Sequence, residues 1–376
     1  MGPVLHGHAE PGFARVADAF ASNFTARGER GAACTIVVEG VTVVDLYAGT
    51  TSTGTSWTES TRTPVFSVSK AVTTICLLMA AEQALLDLDA PVASYWPEFA
   101  VNGKETVTVR HALAHRAGVI GFTRPWDADA LTAWTPIIDD LAAQVPLWEP
   151  DSAFCYHPVS FGFIAGEVLR RATGLRPSQW LSQHLGHVAP SMTYGARPAD
   201  SDYSAVVAPP PGDGAGIPFR ADDLALVMRA MLADGAYSPD LFTASTRDAF
   251  LGPESPAVNL VTTARDLAHL FSATVHPVDS PAILSAATVA AATKPLSFGK
   301  PFIGPDKGDV WGTGFMLHST RRGMAGPGSF GHDGAGGHLA FAHPGFGIGF
   351  GYQTSQAGND DDIRAEVLSK ALRDSL

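Results

Sequence analysis

Residues 71–86 run without a glycine or proline and are almost entirely apolar. A stretch of that length with so little polar face predicts a helix enclosed by other layers rather than one lying on the surface. It begins at Ser67-Val68-Ser69-Lys70, just after Pro64-Val65-Phe66. A helix turns once in about 3.6 residues, so Ser67 and Lys70 point the same way, within hydrogen-bond reach. The helix N-terminus brings partial positive charge to the serine oxygen, and apolar neighbours lower the lysine pKa by disfavouring its ammonium form. A lysine near neutrality can accept the serine proton, which makes a nucleophile and base without a histidine. The chain has six lysines against nineteen arginines, and arginine could not serve because its guanidinium does not deprotonate. The competing reading of Ser67 is a plain helix N-cap. The same spacing recurs at Ser297-Phe298-Gly299-Lys300, among glycines and prolines with no helix to align the pair.

The chain is 376 residues long, 45 % hydrophobic and 16 % charged, with a net charge of −12 and no basic cluster. That balance is globular and core-rich, and it speaks against nucleic acid or an acidic membrane surface as partner. The N-terminal residues lack a basic and an apolar region of leader type, so a cytoplasmic protein is expected. No apolar run reaches transmembrane length, since 71–86 is too short and holds Glu82 and Gln83. Cys34, Cys76 and Cys155 are odd in number and widely spaced, as packed thiols would be.

Phe13, Val16, Phe20 and Phe24 recur at helical spacing, as do Ile363, Val367, Leu368 and Leu372 at the other end. Asn359 and Asp360 to Asp362 precede that last helix, where acidic groups suit the positive end of its dipole. Two β-branched runs, 34–38 and 41–46, meet at Glu39-Gly40 and predict a hairpin. Residues 337–342 and 347–353, around Pro344-Gly345, predict a second antiparallel pair. Helical patterns fill the middle at 109–114, 139–144, 161–172, 178–185 and 221–234. The expected architecture is an α/β (α+β) one: an antiparallel sheet flanked by helices, built from residues 1–75 and 251–376, with an all-helical domain of residues 76–250 inserted. Two segments rich in glycine and proline, 198–218 and 294–331, read as loops of the kind that cover active sites.

Further stretches carry a family resemblance: 106–118 with Arg110, His111 and His115, then Trp148-Glu149-Pro150 ahead of Tyr156, then Thr263-Ala264-Arg265-Asp266-Leu267. With Ser67 and Lys70 they fall in the order of the serine β-lactamase and penicillin-binding-protein superfamily and span nearly the whole chain. The pattern is most similar to the class C branch, which includes family VIII carboxylesterases and related acyltransferases. The resemblance implies a β-lactamase/transpeptidase-like fold with the site in the cleft between sheet and helices. It casts Tyr156 as a second acid/base group, its phenol pKa lowered by the Lys70 ammonium. It also implies an oxyanion hole from the backbone N–H groups of Ser67 and Ala335. His157 and Pro158 stand where the family has asparagine near the tyrosine, and His332 stands where it usually has lysine. His157, His332 and Gly334 are the candidate substrate-binding residues, and Gly334, Gly336 and Gly337 are expected to let substrate approach the strand.

Those two departures argue against penicillin hydrolysis and cell-wall transpeptidation, since the asparagine holds an amide side chain and the lysine a carboxylate. An ester or activated acyl donor fits better, cleaved through an acyl-enzyme on Ser67. An acyltransferase passing the acyl group to an amine or alcohol shares every named residue. A non-catalytic module that keeps the fold predicts loss of Ser67, Lys70 or Tyr156, and all are present. No metal or organic cofactor is implied: His111 and His115 have zinc-helix spacing, but Ala112 stands where a metalloprotease needs its glutamate. The nucleophile-elbow pattern of α/β-hydrolases is absent. Oligomeric state is not legible from the sequence.

Overall fold

The computed structural model describes residues 2–197, 199–209, 220–276, 282–359 and 361–376. Within it nine antiparallel strands form one sheet, in the order His6–Ala9, Val41–Gly49, Gly31–Val38, Ile348–Thr354, His338–His343, Phe330–Gly334, Met316–Leu317, Val310–Trp311 and Ser297–Phe298. Both ends of the chain meet at its centre, where Ile348–Thr354 pairs with Gly31–Val38. Both expected hairpins are present. The first turns through Glu39 and Gly40, both at positive φ (48° and 80°), so Glu39 also adopts the left-handed conformation.

Alternation along Ile348–Thr354 shows how the sheet is covered on both faces. Ile348, Phe350 and Tyr352 join the core formed with the helices Ala14–Ala26 and Arg364–Arg373. Gly349 and Gly351 point the other way, and a Cβ built on either would collide with the backbone of the helix Ala264–Ala273, at Ala268 and Ala264. Glycine there lets that helix lie directly on the strand. The apolar run forms the helix Val68–Glu82, buried from Val68 to Ala80 and packed between the sheet and the helices Ser160–Thr173 and Pro177–Leu185. At Gly162 the backbone of Ala257 comes too close for any side chain.

Several expectations are corrected. The central helix ends at Glu82, not 86, because Ala84 turns into the left-handed region (φ 56°) while Leu85 N–H bonds Ala80 O (3.0 Å) and Ala84 N–H bonds Ala81 O (2.9 Å). That is a Schellman stop made without glycine. Residues 294–331 hold three short strands at one side of the sheet rather than one loop. A second, three-stranded sheet joins Thr63–Pro64, Leu260–Thr262 and Thr193–Tyr194; strands of two or three residues are too short to show a period. In the last helix Ile363 is exposed and Arg364 is buried instead. Residues 198 and 210–218 of the first glycine-rich segment, and Asp360, lie outside the described residues. No helix of the described residues is long and apolar enough to cross a membrane, and all three cysteines are buried free thiols.

Ala84 is exposed, so Ala84→Gly relieves a left-handed alanine at the expense of some chain entropy. The variant is expected to gain about 0.5–1 kcal/mol, read as a higher urea midpoint at unchanged slope.

Candidate active site

The site is built around the residue before the nucleophile. Val65 N–H donates to Leu260 O (2.9 Å), which continues the pairing of Thr63–Pro64 and fixes the approach to the helix. Phe66 then takes φ 44°, a conformation that costs a bulky residue of order 1–3 kcal/mol. It is held there by the rings of Phe242, Phe250 and His338. Ser69 locks its carbonyl: Ser69 N–H donates to Phe66 O (2.9 Å), Ser69 Oγ donates to the same oxygen, and Ser69 Oγ accepts from Leu260 N–H (3.1 Å). Ser67, half-buried at the helix N-cap, makes no capping bond with its side chain. Its Oγ instead meets Tyr156 Oη at 2.7 Å and Lys70 Nζ at 3.2 Å.

Lys70 is fully buried and lies 3.0 Å from Ala257 O, with its Nζ 4.8 Å from the centre of the Tyr156 ring. Burial pushes its pKa well below the ordinary lysine value, opposed only in part by the Asp333 carboxylate. The expectation for Tyr156 is reversed. Burial pushes its phenol above the usual tyrosine range, the hydrogen bond to Ser67 offsets this only in part, and the Asp333 and Asp309 carboxylates push the same way as burial. Burial thus works on the two groups in opposite senses, toward a neutral amine at Lys70 and a protonated phenol at Tyr156.

The other predicted residues divide. His332 comes to the site, its ring 6.1 Å from that of Tyr156 and 5.3 Å from that of Trp311. Its Nδ1 lies 2.5 Å from Asp333 O, and its buried Nε2 has no partner among the described residues. His157 does not come to the site. Its side chain is fully buried, with Nδ1 2.7 Å from Cys155 O and its ring against His115 and Trp148. Neighbours in an extended segment point opposite ways, and Tyr156 takes the side facing Ser67. Burial pushes the His157 pKa down to about 4. The glycines are corrected too. A Cβ on Gly334 would strike Val65 O, one on Gly336 would crowd Ala357 and Phe242, and one on Gly337 would strike the Asp362 carboxylate. They admit the protein's own backbone and side chains, not substrate. Neither Ser67 N–H nor Ala335 N–H has a hydrogen-bond partner among the described residues.

The family model described as Beta-lactamase matches residues 16–373. The chain belongs to the beta-lactamase family. It is 31 % identical to "Esterase/beta-lactamase LipL" of Mycobacterium tuberculosis (strain ATCC 25618 / H37Rv), over 93 % of this chain and 82 % of that protein. The crystal structure of a family VIII carboxylesterase superposes with TM-score 0.87 at 29 % identity, over 99 % of this chain and 100 % of the other. EstCE1, described as a hydrolase with promiscuous acyltransferase activity, shares the fold at TM-score 0.74 and 19 % identity, over 96 % and 98 % of the two chains.

Membership in the beta-lactamase family explains why the ordered stretches recur, and the structure shows that two of them build scaffold. Thr108 and Thr263 are helix N-caps, accepting from His111 N–H (3.0 Å) and Asp266 N–H (3.1 Å). His115, set aside as a metal ligand, lies behind Tyr156 with ring centres 5.0 Å apart. Its Nδ1 accepts from His157 N–H (3.2 Å), so its proton sits on Nε2, and burial holds it neutral. Trp311 escaped notice because it stands in a segment without a pattern; it stacks on Tyr156 with ring centres 5.3 Å apart. Asp333, also missed, is held below the usual carboxylate range against burial by Arg322 (2.7 Å) and His332. Among the described residues no group of three or more His, Cys, Asp and Glu is placed to hold a metal ion.

The buried lysine gives a testable link between stability and pH. Because its folded-state pKa is lowered, the unfolded chain binds more protons than the folded one below the ordinary lysine pKa, and this contribution to stability falls as pH falls. Lys70→Met removes that burden. Its stability gain over the parent, measured by urea unfolding, is expected to be larger at pH 7 than at pH 9, while kcat drops by about 10²–10⁴.

Proposed function

We propose that this protein is a serine carboxylesterase that cleaves small-molecule esters through an acyl-enzyme on Ser67. The observation that carries the reading is the convergence of Tyr156 Oη and Lys70 Nζ on one serine oxygen at a helix N-terminus. The carboxylesterase and esterase/beta-lactamase relatives support the choice of ester.

In the proposed reaction Lys70 takes the Ser67 proton as Oγ attacks the ester carbonyl carbon. The N–H groups of Ser67 and Ala335 donate to the carbonyl oxygen as it becomes an oxyanion. When the carbon–alkoxide bond breaks, Tyr156 gives its proton to the leaving alkoxide and regains one from the Lys70 ammonium. That relay uses the phenol as an acid, which suits a tyrosine kept protonated. Water, or an amine or alcohol, then repeats the sequence in reverse to release the acyl group. The acyltransferase reading remains beside the esterase one because EstCE1, of the same fold, is described as doing both. The division into residues 1–75 with 251–376 and 76–250 fits this chemistry: Ser67 and Lys70 begin the central helix, Tyr156 comes from the middle of the chain, and Ala335 follows a strand of the sheet.

Intact-protein mass spectrometry after brief exposure to short-chain p-nitrophenyl esters tests the reading, with amines and alcohols as alternative acceptors. An acyl adduct is expected on the parent and not on Ser67→Ala; an adduct that persists in Ser67→Ala refutes the assignment. Release mainly to water marks an esterase, and release mainly to an added acceptor marks an acyltransferase. Tyr156→Phe should keep the adduct but lower its rate of formation by about 10²-fold, least for the best leaving groups.

A further inference from the structure

The turn Ala335-Gly336-Gly337 joins the strands Phe330–Gly334 and His338–His343 and has little shape of its own. Gly336 and Gly337 sit at φ 83° and 107°, and the backbone closes the turn through Gly337 N–H to Gly334 O at 3.2 Å. Its shape is set from outside. Gly336 O accepts from Gly358 N–H (3.1 Å) and from Arg364 Nη2 (3.2 Å). The same Nη2 reaches Gln356 O (2.7 Å) and Asp362 Oδ2 (2.7 Å). Arg364 Nη1 lies 3.2 Å from Glu29 Oε1 and 3.3 Å from Thr354 Oγ1. The Asp362 carboxylate that Arg364 holds fills the space a side chain at Gly337 would need.

This guanidinium is 2 % exposed, and Glu29 at its far side is 0 % exposed. Glu29 is fixed in turn by Thr354 Oγ1 (2.6 Å) and by the Tyr352 hydroxyl. One side chain thus ties the glycine turn to the end of the last strand, the start of the last helix and the segment after the first helix. Phe242 adds a second tie, since it touches the turn at Gly336 and packs edge-on against Phe66, the residue before Ser67.

We propose that Arg364 is a positioning residue that sets the direction of the Ala335 N–H by clamping the turn at Gly336. The proposal rests on the reading of Ala335 N–H as an oxyanion donor. Lysine in its place keeps the charge, but a single ammonium cannot span Gly336 O, Gln356 O, Asp362 and Glu29 together.

The test uses full-length enzyme and p-nitrophenyl acetate, with active sites counted by a phosphonate titrant. Arg364→Lys is expected to lower kcat per active site by about 10–100-fold with KM within about twofold, the mark of a contact felt in the transition state. Affinity for a boronic acid, whose tetrahedral adduct mimics the oxyanion, should fall by a similar factor. An ester in place of the Gly334–Ala335 peptide bond deletes the Ala335 N–H itself and should lower kcat by about 10²–10³. In that background Arg364→Lys should cost almost nothing further. If the ester leaves kcat unchanged, the oxyanion reading fails. If the ester lowers kcat and Arg364→Lys does not, or if the two losses multiply in full, the positioning proposal fails while the oxyanion reading stands. Should the lysine variant not fold, Glu29→Gln carries the test: a smaller loss confined to kcat is expected, and an unchanged kcat per active site overturns the proposal.

Discussion

The burial of the Lys70 amine against a serine oxygen is the condition on which the rest of this site depends. Among the described residues Lys70 has hydrogen-bond partners at Ser67 Oγ and Ala257 O, and no carboxylate forms an ion pair with it. Burying an ammonium in that setting is costly, and the lysine pKa is lowered accordingly. Everything packed around it serves this outcome. The apolar faces of the central helix exclude water, and Gly162 lets the helix Ser160–Thr173 press the Ala257 backbone close enough for its carbonyl to orient the amine. In the proposed reaction the base owes its lowered pKa to the hydrophobic core itself.

The same burial assigns the second acid/base group. The sequence leads to a lysine depressed toward neutrality, and also to a phenol whose pKa is lowered whenever Lys70 carries its proton. In the folded protein burial favours the uncharged form of each, lowering the lysine pKa and raising that of the tyrosine, with the Asp333 carboxylate acting upward on both. Burial more than any neighbouring charge thus suits the pair to opposite tasks in the proposed reaction. Stacking on Trp311 and the flank of His115 hold the ring in place.

Much of this was legible in the sequence because it rests on local periodicity. The apolar run, the spacing of Ser67 and Lys70 and both central hairpins follow from which residues repeat at 3.6 or at 2, whereas Tyr156 was marked only by the family resemblance. The decoy pair confirms that context decides: Ser297 is buried in a strand and donates to Ala114 O (2.7 Å), while Lys300 is exposed. What escaped depends on contacts between distant segments. Arg364 occupies a buried position that a hydrophobic pattern awards to Ile363, because its charge is met by Glu29, far away in sequence. Glycines 334, 336 and 337 were read as room for substrate, yet the atoms that need the room are those of Val65, Ala357 and Asp362. His157 fails for a local reason, the alternation that turns it away from Tyr156.

Strain and reach are linked at Ser67. Phe66 is held in a left-handed conformation by three rings and by Ser69, and a serine placed after such a residue starts its helix without spending its hydroxyl on a cap. Its Oγ is left to Tyr156 and Lys70, and its N–H is left without a protein partner among the described residues. A relaxed N-cap would turn the hydroxyl back onto the N–H groups of the helix's first turn and away from Tyr156 and Lys70. The strain at Phe66 is thus part of how the site is built, and the surroundings of Phe66 and of the Gly336 turn would keep the proposed oxyanion donors, Ser67 N–H and Ala335 N–H, available. Where burial disfavours charge on Lys70, Tyr156 and His115 alike, the two proposed N–H donors would act at low dielectric, so their aim would matter more than their number.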